Sequence, residues 1–405
     1  MPGPGAYCYG KEELDAVIEV MQSGHLSRYG SENDPKFLRK VYTLEKEFAK
    51  YSGANFALAT SSGTSSLLAS VLALGLKPGD EIIIPAYTFV ASYSSVIFAG
   101  IVPVLAEIDE SLNIDPDDIE HRITPRTKAI MPVHMLGNPC DMDRIMAIAK
   151  KHNLLVLEDC CQAAGASYKG KKVGTIGNIG AFSLNIYKTI NSGDGGLVIT
   201  NDKNLYSTAF GIHDQGHNPS RVGVEVGVRS ILGLNFRINE LTGAVALAQL
   251  GKLDKILSTI REKRSKFKKM ISGISGFKFR VLNDPEGDCA TLCTIIFDTK
   301  EQADKVSKAL GSKTVDQSGW HVYANMEHVL RHLKQVGQPH TKGSYPRTDD
   351  ILSRSMNISI GVVDGGLGAG WGININSTDA EIEAAAKQFN DACNNVTVST
   401  HIEHV

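Results

Sequence analysis

Apolar residues Leu14, Val17, Ile18 and Met21 recur at helical spacing and predict an amphipathic helix over Lys11–Met21, closed by Ser23-Gly24. A second helix is expected from about Val41 to Tyr51, stopped at Ser52-Gly53. From Phe56 the pattern changes to short, continuously apolar runs alternating with helical stretches. Strands are expected at Phe56–Thr60, Glu81–Pro85, Ile101–Leu105, Ala129–His134, Leu154–Glu158, Ala181–Ile186 and Leu197–Thr200. The intervening helices are Ser65–Leu74, Ser92–Ala99, Asp115–Ile123 and Met142–His152. Strands that are apolar throughout, rather than alternating, mark a parallel sheet covered on both faces and wound in βαβ units. After Asn239 one long helix is expected through Leu250 and Leu253, then a basic helical stretch, Arg261–Met270. Beyond it the chain is more polar and less rhythmic.

At 405 residues the chain exceeds a single core, which stops growing near roughly 250–300 residues. Two domains are therefore expected: residues 1–264, an N-terminal segment with the large domain, and residues 265–405, a smaller C-terminal domain. The formal net charge of −2 gives no electrostatic reason to expect nucleic acid or an anionic membrane as partner. The uncharged stretch Ile82–Ala106 is long enough to cross a bilayer. Pro85, Gly100 and Pro103, a run of hydroxyl side chains, and flanking Asp80, Glu81 and Glu107 argue instead for strand, turn, helix and strand. Cysteines number seven, two of them adjacent at Cys160-Cys161, with no C-x-x-C pair. Met1-Pro-Gly-Pro-Gly5 is not a secretory signal. Both observations point to reduced thiols and a cytoplasmic location.

Open parallel sheets bind ligands beyond the carboxyl ends of their strands. After Phe56–Thr60 comes Ser61-Ser62-Gly63-Thr64, opening a helix whose first amides suit a phosphate. Asp159 follows the strand at Leu154–Glu158, with Gln162 close behind. Ser183 and Lys188 follow the next, ahead of Asn191-Ser-Gly-Asp-Gly-Gly196. Singly, these are an N-cap, a capping carboxylate and a surface lysine. Together they supply what pyridoxal phosphate requires: a lysine for its aldehyde, an acid for its pyridine nitrogen and donors for its phosphate.

Residues 24–255 resemble the DegT/StrS-like family of sugar aminotransferases, which have the aspartate-aminotransferase fold. Among the matching runs are Ser61-Ser-Gly-Thr64, Pro78-Gly-Asp-Glu81, Tyr87-Thr-Phe-Val90, Glu158-Asp-Cys-Cys-Gln-Ala-Ala164, Gly193-Asp-Gly-Gly196 and Asn235-Phe-Arg237. The resemblance implies an α/β fold with a mostly parallel sheet in the large domain and a smaller C-terminal α/β domain. It implies that Lys188 holds pyridoxal 5'-phosphate as a Schiff base, Asp159 pairs its pyridinium nitrogen and Gln162 contacts the ring. Phe89 would stack on the opposite ring face, and Gly63, Thr64 and Ser183 would bind the phosphate. Asn235 would reach the phosphate of a neighbouring subunit, which implies a homodimer with composite sites.

The implied reaction moves an amino group from L-glutamate to a sugar carbonyl. The runs Ile186–Gly196 and His213–Pro219 most resemble the branch that aminates the C8 aldehyde of 8-oxo-3-deoxy-manno-octulosonate for lipopolysaccharide; a nucleotide-linked keto-sugar is the alternative. A carboxylate-bearing acceptor would recruit Arg or His, and His217 and Arg237 are nominated as substrate contacts, Arg237 being equally readable as a structural ion-pair partner. A dehydratase of the same family would have a histidine in place of Lys188, and a non-catalytic pyridoxal-phosphate regulator would be expected to carry an appended DNA-binding domain and a basic charge balance. His213-Asp-Gln-Gly-His217 spaces two histidines as zincins do but lacks their glutamate, so no metal is expected. Gly366-Leu-Gly-Ala-Gly-Trp-Gly372 is read as a loop.

Overall fold

The computed structural model describes residues 2–219 and 231–402, with side chains described through Asn395. Helices α1 (Lys11–Ser23) and α2 (Lys40–Ser52) precede the rhythmic region and end on left-handed Gly24 and Gly53, the C-cap positions glycine favours. The alternating region then runs β1 (Phe56–Thr60), α3 (Gly63–Ala73), β2 (Glu81–Pro85), α4 (Val90–Phe98), β3 (Val102–Ala106), α5 (Pro116–Arg122), β4 (Thr127–Ile130), α6 (Met142–His152) and β5 (Leu155–Asp159). A small hairpin, β6 (Ser167–Tyr168) and β7 (Lys171–Lys172), leads to β8 (Ile179–Ser183), β9 (Gly196–Thr200) and α7 (Lys203–His213).

These strands form a seven-stranded sheet in the order β1-β9-β8-β5-β4-β2-β3. Only β9 runs against its neighbours, pairing antiparallel with both β1 and β8; the sheet is mostly parallel, not wholly so. Alternate residues serve opposite faces. Leu58, Ile82, Ile84, Leu157 and Val198 pack on α3, α4 and α7. Ala57, Ala59, Leu197 and Ile199 pack on α2 and on helices further along the chain, while Ile83, Ile130 and Val156 pack on α5 and α6. The stretch Ile82–Ala106 is thus strand, helix and strand within this core, and no described helix is long and apolar enough to cross a membrane. Strand β4 ends at Ile130, short of the expected His134. The Met131 amide still donates to the Ile83 carbonyl at 2.8 Å, but Pro132 has no amide to donate, and the chain meets β5 again at the bridge Val133–Asp159.

The long helix expected after Asn239 is two helices, α8 (Glu240–Leu250) and α9 (Leu253–Ile271), separated at Gly251-Lys252. Helix α9 runs unbroken through residues 264 and 265. Beyond it β10 (Phe277–Phe279), β11 (Leu292–Phe297), α10 (Lys300–Ala309), α11 (Glu327–Gln335), α12 (Pro346–Ser353), β12 (Ser355–Ser359) and α13 (Asp379–Ile402) form an α/β unit on an antiparallel sheet, β10-β11-β12. Its segment Trp320–Val322 returns to the large sheet, where the amides of Thr88 and Val90 donate to the carbonyls of His321 and Trp320, each over 2.9 Å. That contact closes a cavity over the carboxyl ends of the strands.

Candidate active site

The cavity has a volume of about 530 Å³, and Gly63, Thr64, Phe89, Asp159, Gln162, Ser183 and Lys188 all line it. Each sits where its element delivers it. Ser62 caps α3, its hydroxyl accepting from the Ser65 amide, so Gly63 and Thr64 open the helix with amides that have no intrahelical acceptor. A Cβ on Gly63 would lie 2.6 Å from Ser183 Cβ, so only glycine lets the helix start approach the Ser183 strand end. This cradle suits a phosphate.

Asp159 ends β5 and is buried. Its Oδ2 accepts from Ser92 Oγ at 2.7 Å, and its Oδ1 from the Cys161 amide at 3.0 Å. Ser92 is in turn paired with Thr88 Oγ1 at 2.7 Å. A carboxylate held by these donors, with its remaining capacity toward the cavity, suits a pyridinium nitrogen. Gln162 Oε1 accepts from the Leu136 amide at 3.0 Å. Leu136 has a left-handed φ of 58°, and the buried Arg280 donates to the carbonyls of Met135 and Leu136, each at 3.1 Å. The C-terminal unit thereby sustains a strained wall of the cavity.

Lys188 ends a turn in which its amide donates to the Asn185 carbonyl at 2.9 Å. Its side chain faces the cavity. Burial lowers the amine's pKa, opposed by Cys161, Asp159 and Asp364. Such a lysine is a better nucleophile at neutral pH than a solvated one. With the glycine-floored cradle, the held carboxylate and this amine, the residues present fit pyridoxal phosphate.

Sequence reasoning passed over several residues that also line the cavity: Ser92, Trp320, His321 and Asp364. The His321 ring stands 5.3 Å from Phe89 and pairs with Ser318 Oγ at 2.9 Å; burial, and then Lys188, push its pKa down to about 3. Gly366, which also lines the cavity, opens the glycine-rich segment read only as a loop, and Asp364 stands two residues before it.

Asn235 and Arg237 stand apart. They line a second cavity with Arg28, Ser61 and Asn239, and Asp194 borders both cavities. The Arg237 guanidinium is ion-paired with Asp214 and also donates to Gln215 Oε1, the structural alternative weighed for it. His217 is buried and lines neither cavity. His213 is buried at the end of α7. Its Nδ1 donates to the Phe210 carbonyl at 3.1 Å and its Nε2 accepts from Arg28 at 3.0 Å, which occupies both nitrogens. His134, Glu158 and Cys160 lie close enough together to hold a metal. However, His134 Nδ1 accepts from the Cys140 amide while Nε2 donates to Glu158, whose oxygens also take the amides of Gly174, Ile176 and Gly177. With its lone pairs so engaged, this cluster is a structural brace.

The chain matches the DegT/DnrJ/EryC1/StrS aminotransferase family over residues 7–363. A GDP-perosamine synthase from Vibrio cholerae is 31% identical over 354 residues, 85% of this chain and 90% of that protein. One from Caulobacter vibrioides is 41% identical over 247 residues, 61% of this chain and 63%, less than two thirds, of its own length. An aminotransferase structure from Psychrobacter cryohalolentis superposes with a TM-score of 0.80 at 26% identity, covering 99% of both chains. Matched over most of its length and carrying the cradle, carboxylate and lysine on the expected fold, the chain belongs to the pyridoxal-phosphate-dependent DegT/DnrJ/EryC1/StrS family of aminotransferases.

Proposed function

We propose that this aminotransferase carries an amino group from L-glutamate to the carbonyl of a nucleotide-linked keto-sugar, with Lys188 as its cofactor-bearing lysine. The observation that carries the reading is the lysine of lowered pKa in one cavity with Asp159 and the α3 N-terminus. When bound, the cofactor supplies an aldehyde that carries the amino group and a pyridine ring that takes up the electron pair of the donor's α-carbon. Gly63 and Thr64 offer amides, and Ser183 a hydroxyl, to its phosphate. Asp159 would hold a proton on the ring nitrogen, and Gln162 and Phe89 would contact the ring. The Lys188 amine would move a proton from the donor α-carbon to the cofactor's aldehyde carbon and, on the acceptor half of the cycle, from that carbon to the acceptor's carbonyl carbon.

The nucleotide-linked acceptor is supported by the GDP-perosamine synthases among the relatives. The free octulosonate aldehyde has less support, because of the residues nominated for its carboxylate Arg237 is already paired with Asp214 and His217 lines neither cavity. A homodimer with composite sites is part of the proposal. Asn235 would serve the second copy's cofactor phosphate, and the exposed α1 face of Leu14, Ile18 and Met21 supplies apolar surface for a partner. The assignment is tested by competition with glutamate as donor, offering GDP-, UDP- and dTDP-linked keto-sugars beside 8-oxo-3-deoxy-octulosonate. A higher kcat/KM for a nucleotide-linked sugar is expected; preference for the octulosonate overturns the acceptor and leaves the aminotransferase standing.

A further inference from the structure

The turn that carries Lys188 is gripped from outside the sheet by the first residues of the chain. The Gly3 amide donates to the Ile186 carbonyl at 2.9 Å. A Cβ on Gly3 would lie 2.3 Å from the Tyr187 carbonyl oxygen and 2.7 Å from that of Lys188, so the two backbones touch with no room for a side chain. Two residues on, a Cβ on Gly5 would lie 2.8 Å from the Thr189 carbonyl oxygen and 2.9 Å from Asn191 Nδ2. The Tyr9 hydroxyl then donates to Oδ1 of the fully buried Asn191. Residues 3, 5 and 9 therefore meet residues 186 to 191 in parallel succession.

The gripping segment is itself anchored. Residues Pro4–Cys8 form a 3-10 helix, and Pro4 packs within 3.3 Å of the point where a Cβ on Gly361 would stand. Behind it Glu13 of α1 takes the amide of Gly10 at 2.8 Å, Gln249 Nε2 at 2.8 Å and Lys252 Nζ at 2.7 Å. The segment is thus tied to α8, to the link before α9 and to the C-terminal unit, while its near side bears on the lysine turn. Within the turn the backbone bonds are few, so an outside grip has a large share in fixing it.

We propose that residues Gly3–Tyr9 are a positioning element that holds the 186–191 turn so that the Lys188 amine faces the cavity, with Gly3 and Tyr9 as positioning residues. The functional consequence rests on Lys188 as the cofactor-bearing lysine; the mechanical one does not. The test compares the full-length holoenzyme with Gly3→Val and with the milder Tyr9→Phe, which deletes only the hydroxyl. Gly177→Ala serves as a control for general loosening, because a Cβ there would press on the Val156 carbonyl oxygen at 2.7 Å, at the ends of β5 and β8 far from the gripping segment. Backbone hydrogen exchange across residues 185–192 is expected to rise roughly tenfold or more in Gly3→Val, less in Tyr9→Phe, and not in the control. The pH midpoint of the lysine-bound cofactor's visible absorbance is expected to shift in the same order. Exchange in both variants equal to the parent's overturns the positioning role. Borohydride reduction followed by peptide mapping separates the two ideas: label on another lysine overturns the assignment of Lys188, while the exchange data still decide the grip.

Discussion

The hydroxyl of Ser92, on the first turn of α4, donates to Oδ2 of Asp159 at the end of β5 over 2.7 Å, with both residues buried. The carboxylate is thus aimed by a residue from a different βα unit. Removing a hydrogen bond to a buried charge costs about 1.5–3 kcal/mol. Ser92→Ala is expected to retain the cofactor but to lose roughly ten- to a hundredfold in kcat/KM. Steady-state kinetics beside a cofactor titration measures both, and an unchanged kcat/KM would remove Ser92 from the site.

Lys188→Ala is expected to abolish borohydride-reducible attachment of the cofactor and to cut turnover by several orders of magnitude. Asp159→Asn keeps the shape and loses the charge, so cofactor still binds while kcat falls. Near-parental turnover in the first variant, or normal kcat with normal cofactor affinity in the second, contradicts the role given to that residue.

Composite sites predict complementation. In a heterodimer of Asn235→Ala and Lys188→Ala subunits, one of the two sites has both groups intact. Mixing equal amounts of the two inactive proteins under conditions of demonstrated subunit exchange should restore about half of the parental activity in each heterodimer, roughly a quarter for the randomly exchanged mixture. A fully active monomer in sedimentation would dispose of the idea.

His213 and His321 are each held neutral, with pKa values pushed down to about 3, burial being the larger cause in both. The unfolded chain binds a proton at each near pH ~6.5. Between that value and the folded one the unfolded state holds more protons, so stability rises with pH and is lost as pH falls from about 6.5 toward 3. Each histidine contributes a slope of up to ~1.4 kcal/mol per pH unit. Urea unfolding between pH 6.5 and 5, above most carboxylate titrations, should show a shallower slope in His213→Gln and in His321→Gln. A slope equal to the parent's would mean that the substituted histidine takes up its proton in the folded protein.

Much of the large domain was legible because its strands are short apolar runs punctuated by Gly, Pro and Asp, and because the cradle, Asp159 and Lys188 follow strand ends in chain order. The direction of β9 was not: an apolar run carries no information about which way it pairs. Helix α7 was overlooked although the signal existed, with Asp202 capping a run that buries Ala209, Phe210 and Ile212. The break between α8 and α9 falls at Gly251, a residue helices tolerate often enough that the apolar period appeared to continue. His321 and Trp320 reach the cavity only through the pairing of residues 320–321 with residues 88–90, a contact between segments more than two hundred positions apart in the chain. Arg237 was judged by its nearness in sequence to Asn235 and His217 by its place on a polar turn, neither of which says where a side chain points; Arg237 pairs with Asp214 and His217 is buried.

The reversed course of β9 makes the lysine segment a span with both abutments on the same bank. Gly196 pairs with Thr60 on one side and Ser183 on the other, so the chain leaves for Lys188 and returns beside the phosphate cradle. The Leu184 amide to the Gly195 carbonyl, at 2.8 Å, and the Ser192 amide to the Leu184 carbonyl, at 2.9 Å, clamp the foot of the span. Residues 185–191 can therefore be exchanged as a cassette between relatives without moving the cradle, provided that the incoming segment keeps a backbone that Gly3 can touch. Swaps of this kind would transplant the neighbourhood of the lysine while leaving the rest of the sheet as its host.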